Sequence, residues 1–177
     1  MFIVIVSVGL AGILLVMNTT TRSSADPMIR KQALAIAESL LEEIELQPFT
    51  YCDPTDANFE DATVAALAPT PGGCATTVQG IGPAPADSSR YTLAGVPQFN
   101  NVGDYHGFAM NPVMEITNTQ VDTLAGYAAT VAITNPPAAI AGVPASEILQ
   151  IDVTVTGPSN TSITLTGYRF RYAPNTP

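Results

Sequence analysis

The sequence predicts an α+β chain in which a long N-terminal α-helix packs on an antiparallel β-sheet head. Three observations predict it. Residues 1–21 carry no charge, and Met1 to Met17 are apolar on every helical face. Residues 26–47 carry apolar side chains at helical spacing, and Ile148–Thr156 and Ser162–Tyr172 alternate with a period of two. With 177 residues the chain is long enough for one globular domain and an appendage, not for two ordinary domains. It divides into a hydrophobic helix over 1–25, an amphipathic continuation over 26–47 and a β-rich head over 48–177.

The first segment is built from Phe2, Ile3, Val4, Ile5, Leu10, Ile13, Leu14 and Leu15, broken only by the small residues Ser7, Gly9 and Gly12. A helix apolar all round must be buried in lipid or in protein. Met1 to Met17 would span about 25 Å, and extension through Thr21 reaches the ~30 Å hydrocarbon core. Three readings compete. A cleaved secretory signal would use Ser23 and Ala25 as its small-residue site, but it lacks a basic start and its apolar run is long. A single-pass anchor conflicts with the charges, because Arg22, Arg30 and Lys31 follow the segment and nothing basic precedes it. The third reading removes both difficulties: basic residues lie upstream, and Met1 is not the native start.

Asp26 as N-cap and Pro27 at the first helical position mark the junction into the second helix. Ile29, Ala33, Ile36, Ala37, Leu40, Leu41 and Ile44 then recur at helical spacing, and Pro48 sets the end. The charges oppose the helix dipole, with Arg30 and Lys31 early and Glu42, Glu43 and Glu45 late. Either neighbouring copies of the helix supply the opposite charges, or these side chains are simply solvated.

Fifteen acidic residues against six basic ones give a net charge of −9. Isolated arginines on an acidic body argue against a nucleic-acid surface, which needs clustered cations. Cys52 and Cys74 form no CxxC pair, and one histidine cannot complete a four-ligand zinc site. Two cysteines in a chain with an export-type N-terminus read as one disulfide; two free thiols are the alternative.

In the head, Pro69, Pro71, Pro83, Pro85 and Pro97 keep regular structure short between Pro48 and Pro112. Tyr91 to Leu93 and Tyr105 to Met110 are weak strand candidates, and Asp61 to Leu67 suits a turn or two of helix. Tyr127–Thr134, Ile148–Thr156 and Ser162–Tyr172 are strands by their β-branched and aromatic content. Gly157 to Asn160 is the turn of a hairpin. The alternation in the last strand shifts phase beyond Gly167, predicting a bulge there and a core set of Tyr168, Phe170 and Tyr172. Arg169 and Arg171 then fall on the opposite side, as solvated charges or as a strip meeting an acidic neighbour. The one-sided alternation asks for a cover, which the stripe of helix 26–46 provides. Residues 135–147 are expected to be an exposed loop between strands.

Catalytic patterns are sparse. His106 is the only histidine, and neither Ser88 nor Ser89 sits in a nucleophile elbow. Gly80 and Gly82 lack the context of a phosphate cradle. Asp53, Asp56, Asn58, Glu60 and Asp61 crowd enough oxygens for calcium, though without EF-hand spacing; an acidic N-capping loop is the plainer reading. The sequence therefore points to a structural role with no cofactor and no catalysis.

The run Ser24-Ala-Asp-Pro-Met-Ile-Arg-Lys-Gln-Ala-Leu-Ala-Ile-Ala-Glu-Ser-Leu-Leu-Glu-Glu-Ile44 resembles the MshD-type minor pilins of the mannose-sensitive haemagglutinin (MSHA) group of type IV pili. Tyr51-Cys-Asp-Pro54 and Leu165-Thr-Gly-Tyr-Arg-Phe-Arg-Tyr-Ala-Pro174 resemble them too. The resemblance covers 1–56 and 148–174. The family's processing motif, a Gly followed by Phe-Thr-Leu-Ile-Glu, has no counterpart in this chain. The resemblance implies a type IV pilin fold and a non-enzymatic minor subunit that takes part in filament assembly or tip formation and surface attachment. It implies storage in the bacterial inner membrane, then transfer to an extracellular pilus where residues 1–21 pack against other pilin subunits. Two alternatives are a type II secretion pseudopilin and a membrane-tethered extracellular binding module.

Overall fold

A computed structural model describes residues 27–86 and 88–171. The apolar segment 1–25, the N-cap Asp26 and Tyr172 lie outside the described residues, so the predicted continuous helix from Met1 does too. Among the described residues no helix is long and apolar enough to cross a membrane.

Helix α1 runs over residues 27–45 and ends in a turn at Leu46, before Pro48. Its composition, rich in Ala, Leu and Glu, favours helix. Ala33, Ile36, Ala37, Leu40 and Ile44 are buried, while Ile29 and Leu41 are half-buried at the margin. That is the stripe expected from the sequence.

The sheet has four antiparallel strands in the order β1-β2-β3-β4. These are β1 Ala109–Met110, β2 Ala128–Thr134, β3 Ile148–Gly157 and β4 Thr161–Phe170. Chain neighbours are sheet neighbours, so the topology is a meander. Ala129, Val131 and Ile133 of β2 and Leu149, Ile151, Val153 and Val155 of β3 point at α1 and form the core with its stripe. The opposite face is hydroxyl-rich, with Thr130, Thr154 and Thr164 in one row across β2, β3 and β4. Thr154 and Thr164 share a hydrogen bond of 2.8 Å. The architecture is thus α+β, one helix on an antiparallel sheet.

Four local expectations need correction. Gly167 is not a bulge: β4 pairs in unbroken register, with Gly167 opposite Ile151. The phase therefore does not shift, and Tyr168 and Phe170 lie on the outer face, 44% and 38% exposed. Arg169 falls on the helix side instead. The physical reason is the closeness of α1. A Cβ at position 167 would sit 2.9 Å from Leu41 Cδ1 and 2.2 Å from Glu45 Oε1, so the glycine is the inward residue of its pair.

The other corrections concern the Pro-rich stretch. Tyr91–Leu93 forms no strand and Asp61–Leu67 no helix. Within Tyr105–Met110 only the last two residues form a strand, Gly107 and Phe108 bond to Val131 just before it, and the chain ahead of them makes a 3₁₀ turn, Val102–Tyr105. The linker 135–147 is exposed for most of its length and ends in a short 3₁₀ turn, Ala145–Glu147.

Candidate functional site

Cys52 and Cys74 are joined in a disulfide with Cα atoms 5.4 Å apart, both fully buried. Closing a loop of 22 residues restricts the unfolded chain by about 3 kcal/mol on the chain-entropy account. Two acidic residues of this loop, Asp53 and Asp56, are buried and accept from nearby backbone amides. Asp56 Oδ1 accepts from the amides of Asn58 and Ala75, both at 2.9 Å. Its Oδ2 accepts from the amides of Thr76 at 2.7 Å and Thr77 at 2.8 Å, and from Thr76 Oγ1 at 3.0 Å. Burial alone would raise the Asp56 carboxyl, but the amides of Asn58, Thr76, Ala75 and Thr77 outweigh it and hold the group far below the usual carboxylate range.

Asp53 Oδ1 accepts from the amide of Thr55 at 2.7 Å and from its hydroxyl, while Oδ2 is buried without a partner. The loop is therefore built around two carboxylates that satisfy amides. Among the described residues no three His, Cys, Asp or Glu side chains converge on a point a metal could occupy. The calcium reading of Asp53–Asp61 has no donor cluster behind it.

The late glutamates of α1 are answered in part within the chain. Arg90 grips Glu43 with both arms, Nε to Oε1 at 2.8 Å and Nη2 to Oε2 at 2.6 Å, and Nη1 donates to Met114 O at 3.2 Å. Tyr105 Oη donates to the same Glu43 Oε1 at 2.9 Å. Burial lowers the Arg90 pKa, but Glu43 beside it reverses the effect and raises it. Burial, reinforced by Glu43, pushes the Tyr105 phenol far above its ordinary value. Around this clamp Tyr91, Phe99, Tyr105 and Phe108 pack edge to face, with centroids 4.9–6.3 Å apart. The clamp ties the irregular stretch 88–108 to the helix.

A second clamp closes the end of β4. The Arg171 guanidinium lies 4.1 Å from the Phe49 ring centroid and 3.8 Å from that of Tyr51. Its Nε is 3.3 Å from Glu147 Oε2, which also accepts from Tyr51 Oη at 3.2 Å. Arg171 is therefore neither a solvated charge nor a free contact strip. Phe49 and Tyr51, the two aromatics just before Cys52, were the available signal for this sandwich.

His106 is structural in its contacts. Its Nδ1 accepts from the amide of Ile133 at 3.1 Å, extending the ladder beyond the two-residue strand β1. Ser89 Oγ accepts from the amide of Tyr91. No hydrogen bond among the described residues joins His106 to Ser88 or Ser89. Asp104, fully buried, accepts from the amides of Asn100 and Asn101 through Oδ2 and from Gln79 Nε2 and the Ala84 amide through Oδ1. Burial raises its carboxyl against these bonds. Each of these groups holds loops in place.

What remains open is a face. Met28, Ala35, Ser39, Glu42 and Leu46 form an exposed line along α1, opposite the core stripe. Met28 is 64% and Leu46 83% exposed. A groove of about 370 Å³ runs beside this line, between Ala35, Ser39 and Leu40 on α1 and Val113, Met114 and Leu124. Small side chains at its middle let another element come close, and the two large apolar ends offer area to bury. This arrangement suits packing against another protein surface. Phe2 to Leu15, the predicted packing residues, lie outside the described residues. No protein-family model matches the chain, and no curated protein and no solved structure matches it either.

Proposed function

We propose that the chain is a structural minor pilin-like subunit of a type IV filament of the MSHA kind, without catalytic activity. The observation that carries the proposal is the direct succession of an uncharged apolar segment and a helix that buries only one stripe in its own head. A charge-free rod needs lipid or other rods around it, and the outward line of α1 continues an interaction surface onto the head. The disulfide and the acidic exterior suit an extracytoplasmic compartment. The sequence resemblance supplies the filament class.

On this reading residues 1–21 hold the subunit in the inner membrane and then exchange lipid for neighbouring subunits. Apolar burial is already satisfied in lipid, so close contact at Ser7, Gly9 and Gly12 decides helix–helix packing. Gly9→Leu and Gly12→Leu should lower incorporation into sheared filaments while the head keeps its disulfide and its circular dichroism. Normal incorporation of both variants would refute the packing role. A tethered binding module, by contrast, would keep its ligand after removal of residues 1–21.

A further inference from the structure

β4 is the last strand of the sheet. β3 covers one of its edges, and among the described residues no strand pairs with the other. Arg171 N donates to Glu147 O on the β3 side at 2.9 Å. Backbone groups alternate sides along a strand. The amides and carbonyls of Ser162, Thr164, Thr166, Tyr168 and Phe170 therefore point out of the open edge.

An open edge of ten residues is a template for another strand, and proteins usually block such edges with proline, lysine, bulges or brevity. β4 has no proline and no lysine, and its register with β3 runs from Thr161 to Phe170 without a bulge. Its one charge, Arg169, sits near the end with Nε already buried. None of the chain's fifteen acidic residues lies in β4; the carboxylates beside it are Asp152, which accepts from the Thr166 hydroxyl on the outer face, and Glu45, over Gly167 on the helix face.

We propose that β4 pairs antiparallel with β4 of a second copy, joining the two sheets across a two-fold axis at Thr166. That register uses the whole strand. On the outer face Tyr168 falls opposite Thr164 and Phe170 opposite Ser162, so each aromatic meets a small hydroxyl residue. On the helix face Leu165 falls opposite Gly167, a position that Leu41 and Glu45 of α1 cover in each copy, and Ile163 opposite Arg169. Ile163 and Leu165, half-buried in one copy, gain cover. A two-fold pairing of one edge with itself closes at two copies and does not propagate. The inference does not depend on the filament reading: it concerns the head alone.

The test uses the full chain in detergent micelles, which shelter the apolar segment. Narrow antiparallel pairs bring Cα atoms to about 5.5 Å, within disulfide reach. Thr166→Cys should cross-link to itself under mild oxidation at least tenfold faster than Thr130→Cys, placed on the outer face of β2. Ser162→Cys mixed with Phe170→Cys should give the hetero-cross-link in preference to either self-pair. Thr164→Pro removes an outward N–H without touching the β3 ladder and should abolish the Thr166→Cys product. Thr164→Lys, which keeps the backbone intact, should slow it severalfold. A Thr166→Cys rate no greater than that of Thr130→Cys overturns the proposal. So does a rate that neither Thr164 variant changes.

Discussion

Removing Glu43 should damage the head more than removing Arg90, although the two form one ion pair. The Arg90 side chain is 10% exposed and that of Glu43 24%. Glu43→Ala deletes two charge-assisted bonds, at 2.8 and 2.6 Å, and leaves a guanidinium with only Met114 O and two ring faces for company. Each such bond is worth about 1.5–3 kcal/mol, and stranding one member of a buried pair costs about 3–5 kcal/mol. Glu43 keeps some water contact, so the lower end applies, about 3 kcal/mol. Arg90→Ala leaves Glu43 with the Tyr105 hydroxyl and with water, and should cost about 2 kcal/mol on the same scale. The double variant should be close to the worse single, a coupling of about 1.5–2 kcal/mol. Urea unfolding of the full chain in detergent, followed by tyrosine fluorescence, measures all three. Losses below about 1 kcal/mol for each single, adding in the double, are what a solvated surface pair gives, and would refute the argument.

Gly103→Ala should be severe, because its Cβ would lie 2.2 Å from the carbonyl oxygen of Gly80, a backbone atom that cannot swing aside. A loss of about 2–3 kcal/mol in the same assay is expected, and less than 1 would show that the loops yield. Asp56 titrates below its unfolded value, so its contribution is present above about pH 4 and is lost as pH falls toward its folded pKa. Asp56→Asn should speed amide exchange at Ala75, Thr76 and Thr77 at neutral pH; unchanged exchange would contradict the role assigned to it. Tyr105 has the opposite sign: its raised pKa favours the folded state up to about pH 10, and that advantage is lost as pH rises further. Alkaline difference spectra should show its ionisation only together with unfolding, and a reversible titration of every tyrosine in the folded head would contradict this.

Periodicity made the frame legible. The stripe of α1 and the strands β2, β3 and β4 follow from spacing alone, because half-buried elements must alternate with the period of their backbone. Gly167 misled because a missing side chain reads as a break in phase, whereas here it makes room for Leu41 and Glu45. The clamps were not legible. Glu43 and Arg90 are 47 residues apart, and nothing local says that a glutamate against the helix dipole has a partner across the fold. Arg171 looked like a surface charge because its two rings, Phe49 and Tyr51, come from the far end of the chain. The loop carboxylates resembled a cation site because composition does not reveal that amides at Ala75, Thr76 and Thr77 return to Asp56.

The central claim, a filament subunit anchored by its apolar helix, is tested most directly by shearing surface filaments from cells that make the chain. The intact head should sediment with the filaments, and a chain lacking residues 1–21 should fold with its disulfide yet be missing from them. Filaments free of the full-length chain, with all of it retained in the membrane, would contradict the account.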